Sequence, residues 1–354
     1  MDVRGAVARP GGTAQTCAVF PPVRSERKRR PLVAVALVLG MAAVYFGAAE
    51  LGLRLALVRE QVTPLWPPTG IALACLLLFG VRWWPGVTLG AFLANVLMGP
   101  SIPAVLVISA GNTLAPVCAC LLLTRTGFRT DLLRLRDALA LVFVAALGAM
   151  LISATIGTGT LYAAGALRGR DFWATWSVWW TGDAMGVLVV APLLLVAATR
   201  DWRWRAPLSR WLEAGALLLC VVVVTVVVTS TSANLLFLVF PVLVWAALRF
   251  GLAGAVLCNL VVSVAAVLAA VARHGPFDGF GLLSTMITLQ AFNGSAALTA
   301  LLLAAITGER DEAERALQRA AAQLSDAVRM LEPYSLLNRG LVQRVLRERD
   351  APRE

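Results

Sequence analysis

The chain has 354 residues, of which 59% are hydrophobic and only 14% charged, and it carries a net charge of +11. Soluble domains usually hold about a quarter charged residues, so this balance describes a polytopic membrane protein. Nucleic acid does not account for the positive charge, because the arginines stand in short clusters between apolar runs and no contiguous basic face or recognition module is visible.

Residues 1–30 are rich in Gly, Pro, Ala and Arg and end in RSERKRR. The apolar run that starts at Pro31 makes this region resemble a secretory signal, but no small-residue cleavage site closes it and many more apolar runs follow. The expectation is a disordered basic cytoplasmic tail leading into an uncleaved first helix.

Apolar runs lie at about 32–53, 67–81, 84–99, 103–123, 137–162, 172–198, 212–230, 234–248, 251–272 and 281–306. An isolated helix needs roughly 20 residues to cross about 30 Å of hydrocarbon. The second, third and eighth runs are shorter, so eight spans with re-entrant or fused pairs is the alternative to ten. Charge favours ten with both ends inside. The inner loops then hold Arg24, Arg27, Lys28, Arg29, Arg30, Arg82, Arg125, Arg129, Arg134, Arg136, Arg200, Arg203, Arg205, Arg210 and Arg249. The outer loops keep Arg59, Arg168, Arg170 and Arg273. The expected fold class is an all-α membrane protein, a polytopic transmembrane helix bundle of about 10 spans (8 possible) over residues 31–307.

After Thr307 the chain becomes charged and Ala-rich. Leu317, Ala321, Leu324, Val328 and Leu331 are spaced four, three, four, three, the seam of a short coiled coil. Residues 308–332 therefore read as a C-terminal cytoplasmic signalling coiled-coil helix, able to form a parallel homodimer, or as a solvated amphipathic tail. Pro333 is expected to interrupt it, leaving 333–354 as a short cytoplasmic helical tail with Leu336, Leu337, Leu341, Val342 and Val345 on one face.

Polar groups inside the apolar runs inform by depth. Glu50 and Arg54 fall one turn apart near the outer end of the first span, as an interfacial ion pair or as the charged rim of an outer cavity. Asn95, Asn112 and the pair Gln290 and Asn293 fall near mid-membrane on three different spans, where amides act as helix-to-helix glue or line a cavity. Asp183, in WWTGDAMGVLVVAPLLL, is about 16 Å into its span at 1.5 Å per residue, and a carboxylate there is costly to bury. Trp176, Trp180 and Asp183 follow at i, i+4, i+7, with Trp179 beside them. Gly182 and Gly186 flank the acid and admit a neighbouring helix. Arg54, a backbone amide, water or a cation are all possible partners for it. Trp66, in LWPPTG, marks a helix start at an interface and joins the candidate pocket.

The six cysteines lie in the tail or inside apolar runs, Cys118 and Cys120 point in different directions on a helix, and the one histidine, His274, is far away in sequence. No disulfide framework, metal site or cofactor is expected. There is no Ser/His/Asp or Cys/His arrangement and no phosphate-cradling loop, so no enzymatic activity is expected.

Seven blocks carry a family likeness: WPPTGIALACLLLFG, LGAFLANVLMG, AGNTLAPVCACLLL, ISATIGTGTLY, WWTGDAMGVLVVAPLLL, LRFGLAGA and GPFDG. In this order they resemble the type-one membrane-associated sensor domain of bacteria. The resemblance covers about residues 31–307 and implies an integral sensory domain of the bacterial cytoplasmic membrane. Such domains usually stand before a histidine kinase, a diguanylate cyclase or a phosphodiesterase and act on it through a connecting helix. Two departures stand out. No such module follows the coiled helix here, so the output is expected from a separate cytoplasmic protein, a kinase or a cyclic-dinucleotide enzyme. Where the family commonly has an acid, this chain has Ala115. The expected function is sensing of a small ligand, ion or membrane partner, with Asp183 and the Trp stripe binding or gating. The alternative is a small-molecule or ion transporter, since mid-membrane acids and interrupted short spans also mark transport sites.

Overall fold

The computed structural model describes residues 29–54, 63–199, 207–231, 233, 235–278 and 281–349, so the basic tail lies outside the described residues. Every regular element among the described residues is helical. They are α1 (Arg29–Leu53), α2 (Pro67–Phe79), α3 (Trp84–Val96), α4 (Ile102–Arg125), α5 (Leu135–Ala163), α6 (Gly169–Thr199), α7 (Leu208–Ser230), α8 (Leu236–Val271) and α9 (Leu282–Arg349). Prolines open α2, α3 and α4, where the missing N–H costs nothing because the first helical N–H groups have no intrahelical acceptor.

Seven of these helices, α1 and α4 to α9, are long and apolar enough to cross a membrane. α2 and α3 have 13 residues each, about 20 Å at 1.5 Å per residue, less than a hydrocarbon core. The ten apolar runs of the sequence map onto this set one for one, because α8 is two helices joined at Gly251.

The joint at Gly251 has φ 62° and ψ −150°, a backbone conformation close to glycine-only. It reverses the chain. A Cβ built on Gly254 would sit 2.9 Å from the carbonyl oxygen of Ala246, whereas residues eight apart in an unbroken helix are about 12 Å apart. The surroundings agree. Arg249, just before the joint, pairs with Glu213 at the start of α7, with Nη2 to Oε2 at 2.8 Å. Gly275, after the second half of α8, packs on the carbonyl of Thr229 at the far end of α7. The run expected at 234–248 and the run at 251–272 are thus the antiparallel arms of a hairpin.

Small residues set the packing elsewhere. The buried core is dominated by Ala and Val, with Ala72, Ala91, Ala115, Ala145, Ala191, Ala246, Ala266 and Ala296 fully enclosed, which lets backbones approach where no water drives association. α9 closes the bundle along α8 and then leaves it. Gly308 packs on Leu133, and Glu309 Oε1 accepts from the Leu135 backbone N–H at 2.8 Å. Beyond this clamp Leu317, Leu324 and Val328 are 72%, 67% and 58% exposed. The helix does not stop at Pro333, as the sequence suggests, but continues to Arg349. A proline withdraws only one N–H from the ladder, and the leucines, arginines and glutamates on either side are good helix formers.

Candidate functional site: a cavity over Asp183

α6 carries Asp183 about 16 Å from Phe172 and about 24 Å from Thr199, taking 1.5 Å per residue. The residue is 1% exposed. One carboxyl oxygen accepts from the Thr69 hydroxyl at 2.5 Å, and the other accepts from the hydroxyl of Ser153. Thr69 belongs to α2 and Ser153 to α5, so the acid joins three helices. No cation lies within ion-pairing distance of it among the described residues, and Arg54, a candidate partner on sequence grounds, is exposed at the end of α1.

The first turn of α2 compensates part of the burial. Trp66 N–H donates to the Gly182 carbonyl at 3.0 Å, and Pro67, Pro68 and Thr69 follow directly. α2 therefore begins against the turn of α6 that holds Asp183. The positive end of its dipole stabilises negative charge placed there, while the two prolines remove two of the N–H groups that would otherwise lack acceptors in an apolar setting. The approach is close: a Cβ on Gly182 would meet the Thr63 carbonyl at 2.5 Å, on Gly186 the Trp66 carbonyl at 2.0 Å, and on Gly70 the Gly186 carbonyl at 2.1 Å. The glycines flanking the acid admit a neighbour, as read from the sequence, and that neighbour is the entry to α2.

A cavity of about 50 Å³ lies over the acid, lined by Thr63, Trp66, Asn95, Met98, Asn112, Trp179, Gly182 and Asp183. One water needs roughly 10–15 Å³ on this measure, so the space suits a few waters, a small cation or a small polar molecule. It is far below the 300 Å³ or more of a drug-sized site. Asn112 makes no hydrogen bond to another described residue and faces the cavity, while Asn95 donates to the Ala91 carbonyl at 2.8 Å.

Five expected pocket residues besides Asp183 line this cavity: Trp66, Asn95, Asn112, Trp179 and Gly182. The others stand elsewhere. Trp176 and Trp180 stack at 5.7 Å, but their N–H groups turn to α5, to the Thr155 hydroxyl at 3.1 Å and the Leu147 carbonyl at 2.9 Å. Leu147 lies in a π-helical stretch, Ala140–Ala149. These indoles brace α6 on α5 and leave the cavity wall to Trp179, whose ring sits over Gly157, 2.5 Å from where a Cβ would be. Glu50 and Arg54 form no side-chain ion pair with each other; the Arg54 backbone N–H reaches the Glu50 carbonyl at 3.3 Å, as at a helix end. Asn293 is 1% exposed with neither side-chain polar atom hydrogen-bonded, and it lies off the cavity.

Gln290, one turn before Asn293, makes the link to α9. Its Nε2 donates to the Pro64 carbonyl at 2.9 Å, in the Thr63–Trp66 segment that forms two walls of the cavity. Thr69, Ser153 and Met98 escape sequence reasoning. The signal for all three is positional: Thr69, Met98 and Ser153 sit in the WPPTG, LGAFLANVLMG and ISATIG blocks.

Compared with known proteins, residues 33–311 match the family model MASE1, most of the chain. No curated protein and no solved structure matches it.

Proposed function

The chain belongs to the MASE1 family of membrane sensory domains, and from that premise we propose that it senses a small polar ligand or ion in the Asp183 cavity and reports occupancy through α9. The family is sensory and not catalytic, and the protein is a multi-pass membrane protein. The observation that carries the proposal is the Gln290–Pro64 hydrogen bond. It couples the helix that leaves the membrane to the segment whose Thr63 and Trp66 line the cavity. A ligand shifts a two-state equilibrium only by its differential affinity for the two states, and a ligand bonded to Thr63 or Trp66 moves the Pro64 carbonyl with them.

Asp183 is the floor that selects the ligand, Asn95 and Asn112 offer amide contacts, and Trp179 is the movable wall. With the arginine-rich end of the bundle inside, the cavity opens outward and α9 enters the cytoplasm. There the exposed seam through Leu317, Leu324 and Val328 pairs with a second copy of the chain as a parallel coiled coil, and the pair acts on an output module, a kinase or a cyclic-dinucleotide enzyme.

The test compares backbone hydrogen exchange of the full-length protein and Asp183→Asn in nanodiscs. The proposal expects altered protection across Ser284–Ala305 of α9 as well as at Thr63–Gly70. A change confined to the cavity, with α9 untouched, removes the relay. Flux of sodium, potassium or ammonium into proteoliposomes that depends on Asp183 favours a transporter instead, a reading drawn from the interruptions at α2 and at Gly251.

A further inference from the structure

A second and larger cavity lies against α1, and it shares no lining residue with the first. It has a volume of about 520 Å³ and runs between α1 and α2 towards the arginine-rich end of the bundle. Its walls include Leu37 and Val44 of α1 and Leu78 and Phe79 of α2, with Gly40 as the floor and Arg82 at the end. Leu37, Val44 and Phe79 are 52%, 56% and 62% exposed, so the groove opens sideways, the direction of hydrocarbon in a membrane protein. A Cβ on Gly40 would meet nothing within 4 Å, which leaves the groove open along the length of α1 it follows.

The charged end decides the occupant. Arg82 is exposed and forms no ion pair among the described residues; its guanidinium carbon stands 5.3 Å from the Trp83 ring centre, a cation–π contact that leaves its N–H groups available. α1 starts at Arg29, and Arg24, Arg27, Lys28, Arg29 and Arg30 surround that start in the sequence. Basic residues directly at the inner end of a membrane helix, beside a gap between helices, attract anionic lipid headgroups. An apolar trough with an unpaired arginine at its interfacial end matches an acyl chain attached to a phosphate.

We infer that this groove is a binding site for one anionic phospholipid of the inner leaflet, with an acyl chain laid over Gly40 between Leu37, Val44 and Phe79 and the headgroup phosphate on Arg82. The site is distinct from the Asp183 cavity and does not depend on what that cavity binds. α1 also packs on α3 through Tyr45 against Gly90, so a lipid wedged beside it bears on the helix that supplies Asn95.

The full-length protein, delipidated in detergent, is titrated with an equimolar mixture of phosphatidylglycerol and phosphatidylcholine and read by native mass spectrometry. The first lipid retained is expected to be phosphatidylglycerol, with about a fivefold preference, the factor one basic side chain contributes at an anionic surface. Arg82→Gln should equalise the two lipids. Gly40→Phe, whose Cβ meets nothing within 4 Å and whose ring occupies the groove, should reduce retention of both, whereas Gly159→Phe, at another glycine with nothing within 4 Å of its Cβ, should not. Equal retention by the wild type, a preference that survives Arg82→Gln, or displacement by glycerol 3-phosphate alone, which would mark a free-phosphate site, overturns the inference.

Discussion

Gln290 of α9 and Pro64, 226 positions apart in sequence, meet in a hydrogen bond of 2.9 Å between the Gln290 amide and the Pro64 carbonyl. The donor cannot be replaced locally, because the residues three and four positions on, Pro67 and Pro68, have no N–H to offer this carbonyl. Gln290→Leu removes the donor and leaves a carbonyl without its partner, at about 1–3 kcal/mol. Thermal unfolding in detergent micelles should show the loss, and Gln290→Glu, which offers no amide donor when ionised, should not recover it.

Asp183 has two hydroxyl donors from two helices, and they are not equivalent. The Thr69 hydroxyl has the carboxylate as its acceptor, while the Ser153 hydroxyl also lies 3.1 Å from the Met150 carbonyl. Asp183→Leu therefore strands Thr69, and the double variant Asp183→Leu, Thr69→Val should recover part of the stability that Asp183→Leu loses, by about 1–3 kcal/mol. Unfolding midpoints of the two variants decide it; equal midpoints would show that Thr69 finds another acceptor.

At the glycine crossing the backbones of α2 and α6 leave no room for a side chain. Gly186→Ala places a methyl group 2.0 Å from the Trp66 carbonyl and has no flexible side chain to push aside. Overpacking of this kind costs about 1–3 kcal/mol, occasionally more, and the α2 entry must shift with it. Gly40→Ala, whose Cβ meets nothing within 4 Å, is the matched control and should be neutral or slightly stabilising, since Ala is about 1 kcal/mol the better helix former. Expression and melting temperature of the two variants make the comparison.

This part of the site is legible in the sequence. A charge between two glycines in an apolar helix must face protein, and depth counting brings Asn95, Asn112 and Asp183 together. Thr69 and Ser153 are not legible there, because hydroxyls in apolar helices usually bond the carbonyl one turn back, as Thr113, Thr160 and Thr225 do here. Nothing in the sequence separates those from a hydroxyl aimed across the bundle. The Trp176–Trp180 stripe misleads for a related reason: helical spacing fixes where a Cβ points, but the indole N–H follows its acceptor, and the acceptors are on α5. Asn293 has the right depth and the wrong azimuth.

Gly251 is the hinge of the topology. Gly251→Ala forces an L side chain into a glycine-only conformation at about 1–3 kcal/mol, and it should weaken the Arg249–Glu213 pair at the same end of the hairpin. Reporter fusions after Leu57, Gly99, Gly169, Ser232 and Pro276 should all signal outside, and one after Gly251 inside. A cytoplasmic signal at Gly99 would return the count to eight spans.

The exposed seam of α9 makes a prediction of its own. Leu317→Cys and Leu324→Cys should each form disulfide-linked dimers in membranes on mild oxidation, while Asp326→Cys, off the seam, should cross-link far less. Equal cross-linking at all three positions would indicate random collision and a solvated tail.

Sensing of this kind requires coupling between the Asp183 cavity and α9, and a double-mutant cycle measures that coupling without knowledge of the ligand. Unfolding free energies of wild type, Asp183→Asn, Gln290→Leu and the double variant are compared in mixed micelles. Coupling through the shared Thr63–Trp66 segment predicts an interaction of about 0.5 kcal/mol or more, whereas independent sites add to within about 0.3–0.5 kcal/mol. A non-additive cycle supports a sensing cavity wired to α9; an additive one contradicts it.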